Sequence, residues 1–137
     1  RAGRGMLDGM PKMIPSAEAG FLGMKRDEEN PTQQITYANR LPEDLTGRQC
    51  FLIDPMLATG SSAALVYEAL VEKGGMPAHT HVASIIGSEQ GVDYVQRHMP
   101  HATTSLWCAA VDEELTSRSY IVPGIGDAGD LAYGEKI

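Results

Sequence analysis

The segment richest in chemistry is Ile53-Asp54-Pro55-Met56-Leu57-Ala58-Thr59-Gly60-Ser61-Ser62. An acidic residue ends an apolar run, and a turn of small and hydroxyl residues opens the next helical pattern. A helix N-terminus offers N–H groups with no intrahelical acceptor and the positive end of the helix dipole. The N–H groups of Ala58, Thr59, Gly60 and Ser61 can therefore wrap a phosphate. Gly60 allows close approach, and the hydroxyls of Thr59 and Ser62 add donors. Asp54 is placed to accept from sugar hydroxyls or to hold a hydrated Mg²⁺. The same residues would equally make a plain strand-to-helix turn. No Gly-Lys-Ser or Gly-Lys-Thr occurs, so this is not a Walker loop.

Two further segments could bear on a ligand. The tail Tyr120-Ile121-Val122-Pro123-Gly124-Ile125-Gly126-Asp127-Ala128-Gly129-Asp130 is rich in glycine, and its main-chain groups suit a flat polar ring. It also reads as an ordinary C-terminal loop. Arg1 beside Ala2-Gly3, and Arg26 within a charged cluster, suit a pyrophosphate, because a guanidinium binds phosphate oxygens in pairs. The histidines at 79, 81, 98 and 101 have no Cys or acidic partner at a known zinc spacing, and they read as surface residues. Asp112, Glu113 and Glu114 read as a solvated strand end. Cys50 and Cys108 read as buried small hydrophobes, and Trp107 as core.

The elements that must position these residues follow from periodicity. Residues 2–14 place Met6, Leu7, Met10, Met13 and Ile14 at helical spacing, weakened by glycines and Pro11. Residues 17–24 and 34–38 read as two strands joined through the charged tip Lys25-Arg26-Asp27-Glu28-Glu29-Asn30-Pro31. Residues 41–47 are a turn. Residues 49–53, 81–86 and 104–111 are strands, and the short apolar run Gln49-Cys50-Phe51-Leu52-Ile53 suits a buried parallel one. Residues 55–62 are a loop. Residues 63–73 and 88–98 are helices, the first stopped by Gly74-Gly75 and the second capped by Ser88. Strand, helix, strand, helix, strand makes an α/β fold with a largely parallel sheet.

The chain has 137 residues, enough for one domain, with 42% hydrophobic residues. Eleven basic against 18 acidic residues give a net charge of -7, which argues against a nucleic-acid or anionic-membrane binder. No apolar run approaches the ~20 residues of a membrane span. No signal-peptide pattern opens the chain. Two cysteines 58 positions apart make no disulfide framework and suit a reducing cytosol.

Taken together, Arg1-Ala2-Gly3, the Gly5-Met6 and Asp8-Gly9 pairs, Arg26 to Glu29, Asp54 to Ser62, and Tyr120 to Asp130 resemble the uracil phosphoribosyltransferase family. The resemblance runs over nearly the whole chain and is weaker across residues 72–108. It implies the type I phosphoribosyltransferase-like α/β fold: a mostly parallel sheet flanked by helices, a flexible hairpin loop and a C-terminal base-binding loop. It implies one phosphoribosyltransferase domain over residues 1–137, short of the N-terminal region that family members carry. The implied reaction joins uracil to 5-phosphoribosyl 1-diphosphate (PRPP), giving UMP and diphosphate in pyrimidine salvage. The implied setting is a cytoplasmic homodimer or higher homo-oligomer, with no nucleic-acid or membrane partner.

Residue by residue, the resemblance assigns PRPP to Arg1, Arg26, Asp54, Pro55, Met56, Leu57, Ala58, Thr59, Gly60, Ser61, Ser62 and Asp127. It assigns uracil to Ile121, Gly126, Asp127 and Ala128, and catalytic roles to Arg26 and Asp127. Mg²⁺ would come with PRPP and water, near Asp54, without direct protein ligands. Some members respond to GTP as an activator. Four departures matter: Gly60-Ser61-Ser62 stands where the family has Gly-Gly-Ser, Lys25-Arg26 where it has Tyr-Arg, residues 27–37 differ from the common pattern after Glu29, and the N-terminal region is absent. Ser61, Lys25 and the absent N-terminal region motivate a second reading, a catalytically impaired PRPP- or nucleotide-binding paralogue acting as a regulatory module. A third, an RNA-binding attenuation regulator, is opposed by the acidic charge and by the single acid of Asp54-Pro55.

Overall fold

The computed structural model describes residues 2–26 and 34–134. Arg1 and the hairpin tip at 27–33 lie outside the described residues. Helix α1 spans Arg4–Met13 and carries Pro11 in its last turns, where the ring costs one backbone hydrogen bond. Strands β1 (Phe21–Arg26) and β2 (Gln34–Arg40) form an antiparallel hairpin, with a bulge at Gly23/Met24. The expected pair of arms is therefore present, and β1 runs on through Lys25 and Arg26, which the sequence pattern places in the tip.

The centre is parallel. Strand β3 (Gln49–Ile53) and the two-residue β4 (Met56–Leu57) lie end to end along one side of β5 (His79–Ser88). Strand β6 (Thr104–Asp112) pairs with the other side of β5. Between β3 and β4 the Pro55 carbonyl accepts from the N–H groups of Ile85 and Ile86, so the chain stays on the sheet and β4 keeps the register of β3 against β5. Residues 55–62, expected as loop throughout, hold β4 and the start of the following helix. A two-residue pairing leaves no periodic signal.

Helix α2 (Ser61–Gly74) connects β3/β4 to β5, and helix α3 (Glu89–His98) connects β5 to β6. Strand order advances in one direction, so two right-handed crossovers place both helices on the same face. There Leu57, Tyr67, Val82, Val95 and Met99 form the buried core, with Leu52, Val92 and Leu106 packed against it. The opposite face carries Phe51, His79, His81, Ile85 and Trp107 and is uncovered among the described residues.

Trp107 is the clearest correction. It is 60% exposed rather than core, because its register partner Ala83 belongs to the bare face. Its indole N–H donates to His81 Nδ1 at 3.1 Å, and His81 stacks on Phe51. Cys50 and Cys108 are half-buried rather than buried. Burial pushes both thiols up from their ordinary pKa.

The expected tail loop also contains structure. Strands β7 (Glu114–Leu115) and β8 (Ile121–Val122) pair antiparallel, and helix α4 (Ala128–Tyr133) follows. The Val122–Pro123 peptide is cis.

Candidate functional site

In open parallel sheets, ligands bind beyond the carboxyl ends of the strands. Asp54 stands at that end of β3, and the chain then runs through β4 into the turn Ala58-Thr59-Gly60 and the N-terminus of α2. A cleft of about 1320 Å³ opens here. Ala2, Gly3, Asp54, Met56, Leu57, Ala58, Thr59, Gly60, Ser61 and Ser62 all line it, so one concavity gathers most of the predicted phosphate loop. Pro55 is buried behind the loop. Gly3 packs against the Ile53 carbonyl, which brings the start of the chain beside Asp54. Arg26 is the last residue of β1, and Arg1 lies outside the described residues.

The loop is shaped from behind. Gly60 adopts φ +77°, and a Cβ there would fall 2.5 Å from the Gly91 carbonyl oxygen. A Cβ on Gly91 would fall 2.5 Å from the carbonyl oxygens of both Leu57 and Ala58. Two helices and a loop therefore meet backbone to backbone, and only glycine fits on either side. Ser88 ties the contact together. Its hydroxyl is fully buried, accepts from the Gly91 N–H at 2.9 Å, and donates to the Ala58 carbonyl. The expected helix cap is thus present and has a second task, which turns the Ala58 carbonyl toward α3. Gly91 was missed, since a glycine inside a helical pattern reads only as weakness.

Ser61 begins α2, and among the described residues Ser119 is the one non-glycine with positive φ. The extra Cβ at position 61 is therefore accommodated without left-handed backbone. The Thr59 and Ser61 hydroxyls lie 2.9 Å apart and form one polar edge of the loop.

The Asp54 carboxylate accepts from the Met56 N–H at 3.2 Å. Asp54 is exposed as a residue, while the surrounding protein partly desolvates its carboxyl. That desolvation raises its pKa, against the lowering effect of the Met56 N–H. The native state then holds a proton at pH values where the unfolded chain has lost it. Stability falls as pH rises through that window and stays reduced above it. Asp54→Asn should accordingly raise the thermal midpoint at pH 7. The gain should vanish below about pH 3, under the ordinary aspartate pKa of ~3.9. Thermal melts of both proteins at the two pH values check this, and an equal or lower midpoint at pH 7 would refute it.

A Mg²⁺ site can be tested on the donor set. Among the described residues, no three His, Cys, Asp or Glu side chains gather around one point. Asp8, Glu18 and Asp54 line the cleft, and Asp54 is the one at the strand end that leads into the loop. One carboxylate suits an ion that keeps most of its water and is carried by phosphate oxygens.

The tail is arranged separately. Ile121 is 2% exposed, so its side chain is committed to the interior. Asp127 caps α4, its Oδ1 accepting from the Asp130 N–H at 2.9 Å. Ile121, Gly126, Asp127 and Ala128 do not line the cleft of the phosphate loop, although Ser119 does. They sit on a loop anchored at the carboxyl end of β6, along the same edge of the sheet. Asp112, expected to be a solvated strand end, accepts from the Gly124 N–H at 2.9 Å.

The model of the uracil phosphoribosyltransferase family matches residues 1–135. The chain belongs to that family. A uracil phosphoribosyltransferase of Bifidobacterium adolescentis is 62% identical over 135 residues, covering 98% of this chain and 62% of that protein. One from Bifidobacterium longum is 58% identical over the same length, and one from Beutenbergia cavernae 50%. The chain thus spans about 62% of the length of these curated relatives. Among solved structures, the AQ2163 protein of Aquifex aeolicus aligns with a TM-score of 0.87 at 33% identity, over 100% of this chain and 63% of that one. The architecture is the expected type I phosphoribosyltransferase-like α/β fold, with a mostly parallel sheet flanked by helices. No helix among the described residues is long and apolar enough to cross a membrane.

Proposed function

We propose that the chain transfers a phosphoribosyl group from PRPP to uracil, giving UMP and diphosphate. The observation that carries this reading is the cleft at the carboxyl edge of the sheet, where Asp54, the 58–62 turn and the N-terminus of α2 converge. A glycine-bearing turn leading into a helix N-terminus is suited to a phosphate dianion. An acid one strand-end away suits ribose hydroxyls. Membership of the family supports the choice of reaction.

In this reading the N–H groups and hydroxyls of the 58–62 turn hold the 5′-phosphate, with Pro55, Met56 and Leu57 setting its approach. Asp54 holds the ribose. Arg1 and Arg26 sit against the pyrophosphate, and Arg26 lowers the barrier by balancing the charge of the leaving group. The base rests on the main chain at Ile121, Gly126, Asp127 and Ala128, and Asp127 also contacts PRPP. The C1–pyrophosphate bond breaks through an oxocarbenium-like state while a ring nitrogen of uracil forms the new bond to C1 and gives up its proton, with Asp127 assisting that loss. Positioning and charge stabilisation supply most of the rate. Mg²⁺ bound with PRPP would neutralise the leaving pyrophosphate. A cytoplasmic homo-oligomer, responsive to GTP as some family members are, completes the proposal.

Thr59→Val tests the phosphate assignment. It removes the hydroxyl while preserving shape. A hydrogen bond to a charged group is worth about 1.5–3 kcal/mol, so PRPP·Mg²⁺ affinity should fall roughly 10- to 100-fold. Calorimetric titration measures it, and an unchanged Kd would count against the loop as the phosphate site.

A further inference from the structure

Two loops at the carboxyl edge of the sheet are held by neighbouring residues. Ser88 is the last residue of β5 and Asp112 the last of β6, and the two are register partners. The Ser88 hydroxyl donates to the Ala58 carbonyl of the phosphate turn. The Asp112 carboxylate accepts from the Gly124 N–H at 2.9 Å. One rung of the sheet therefore carries both loops.

The loop beyond Asp112 has its own clasp. Strands β7 and β8 pair Glu114 with Val122 and Leu115 with Ile121. The Tyr120 N–H donates to Thr116 Oγ1 at 3.1 Å, and the Tyr120 carbonyl accepts from the Thr116 N–H at 2.8 Å. These contacts close the near end of the loop. Past Val122 the chain turns through Pro123 and Gly124, and the Asp112–Gly124 bond ties that turn to the sheet. Gly124 adopts φ +52°, and the loop leads directly to Gly126, Asp127 and Ala128.

We propose that Asp112 is a positioning residue for base recognition. It holds the Gly124 N–H and so sets the distance between the base loop and the phosphate turn that Ser88 holds on the adjacent strand. The inference rests on the phosphoribosyltransferase reading and adds to it a residue 15 positions away from Asp127. Its action is through the backbone of the loop, without contact to a ligand.

The test compares two probes, UMP and ribose 5-phosphate, which share the sugar phosphate and differ in the base. In the wild-type chain UMP should bind more tightly. Asp112→Ala removes the acceptor and should weaken UMP about tenfold while leaving ribose 5-phosphate within twofold. Asp112→Asn keeps an acceptor oxygen and should stay within about threefold of wild type for both. The Gly124 amide should exchange with solvent faster in Asp112→Ala than in Asp112→Asn. Equal weakening of both ligands by Asp112→Ala, or no weakening of UMP, overturns the proposal. An unchanged Gly124 exchange rate overturns it whatever the ligands do. Wild-type protein that binds neither probe overturns the phosphoribosyltransferase reading itself, and this inference with it.

Discussion

Gly91→Ala should destabilise the protein by about 3 kcal/mol and abolish measurable binding of PRPP. The expected sign is what makes the substitution informative. In an ordinary helix interior, replacing glycine by alanine stabilises by about 1 kcal/mol, because glycine has more backbone freedom to lose. Here the added Cβ would stand 2.5 Å from two carbonyl oxygens, those of Leu57 and Ala58. Neither can yield like the end of a flexible side chain. Leu57 is in β4 and in the buried core, and Ala58 is held by Ser88. Overpacking of this kind costs about 1–3 kcal/mol, and pushing the loop off Ser88 adds a broken, partly buried hydrogen bond. Displacement of Ala58 carries Thr59 and Gly60 with it, so the phosphate turn is lost as a unit. Urea unfolding and calorimetric titration with PRPP·Mg²⁺ measure the two effects. A Gly91→Ala protein more stable than wild type would show that α3 does not press on the loop.

Gly124→Ala should cost UMP about 30-fold or more in affinity while sparing ribose 5-phosphate. At φ +52° any Cβ is strained, and this one would fall on the Ile121 carbonyl oxygen. Ile121 is buried and paired with Leu115, so it cannot retreat. The turn must reopen, at a cost of about 2 kcal/mol, and the base loop moves off the sheet edge. The phosphate turn stands on a different strand and should not feel it. Equal loss of both ligands would mean that the two loops are not independent sites.

Both predictions turn on glycines, and both show where sequence reasoning reaches its limit. The phosphate turn was legible because its parts are local: an apolar strand, an acid at its end, small and hydroxyl residues, then helical spacing. The hairpin arms, both crossover helices and the Ser88 cap were legible for the same reason. Gly91 was not, since its reason lies more than 30 residues away at Leu57 and Ala58. Trp107 was misread because alternation within a strand shows that two faces differ, but not which face the helices cover. That depends on strand order, and here both crossovers fall on one side. Asp112 looked like part of an acidic, solvated strand end, and its partner is a backbone N–H that no side-chain pattern reveals. Strands β4, β7 and β8 are two residues each, too short for any period to register.

The departure at Ser61 looks different once placed. Ser61 stands where a second glycine is usual, yet it occupies the first turn of α2, and its hydroxyl joins that of Thr59.

The most direct test of the central claim is incubation of the purified chain with uracil, PRPP and Mg²⁺, followed by chromatographic measurement of UMP. The account predicts UMP formed in equal amount to the diphosphate released, and lost in Gly91→Ala. PRPP consumed without UMP, or no reaction in wild-type protein, would contradict it.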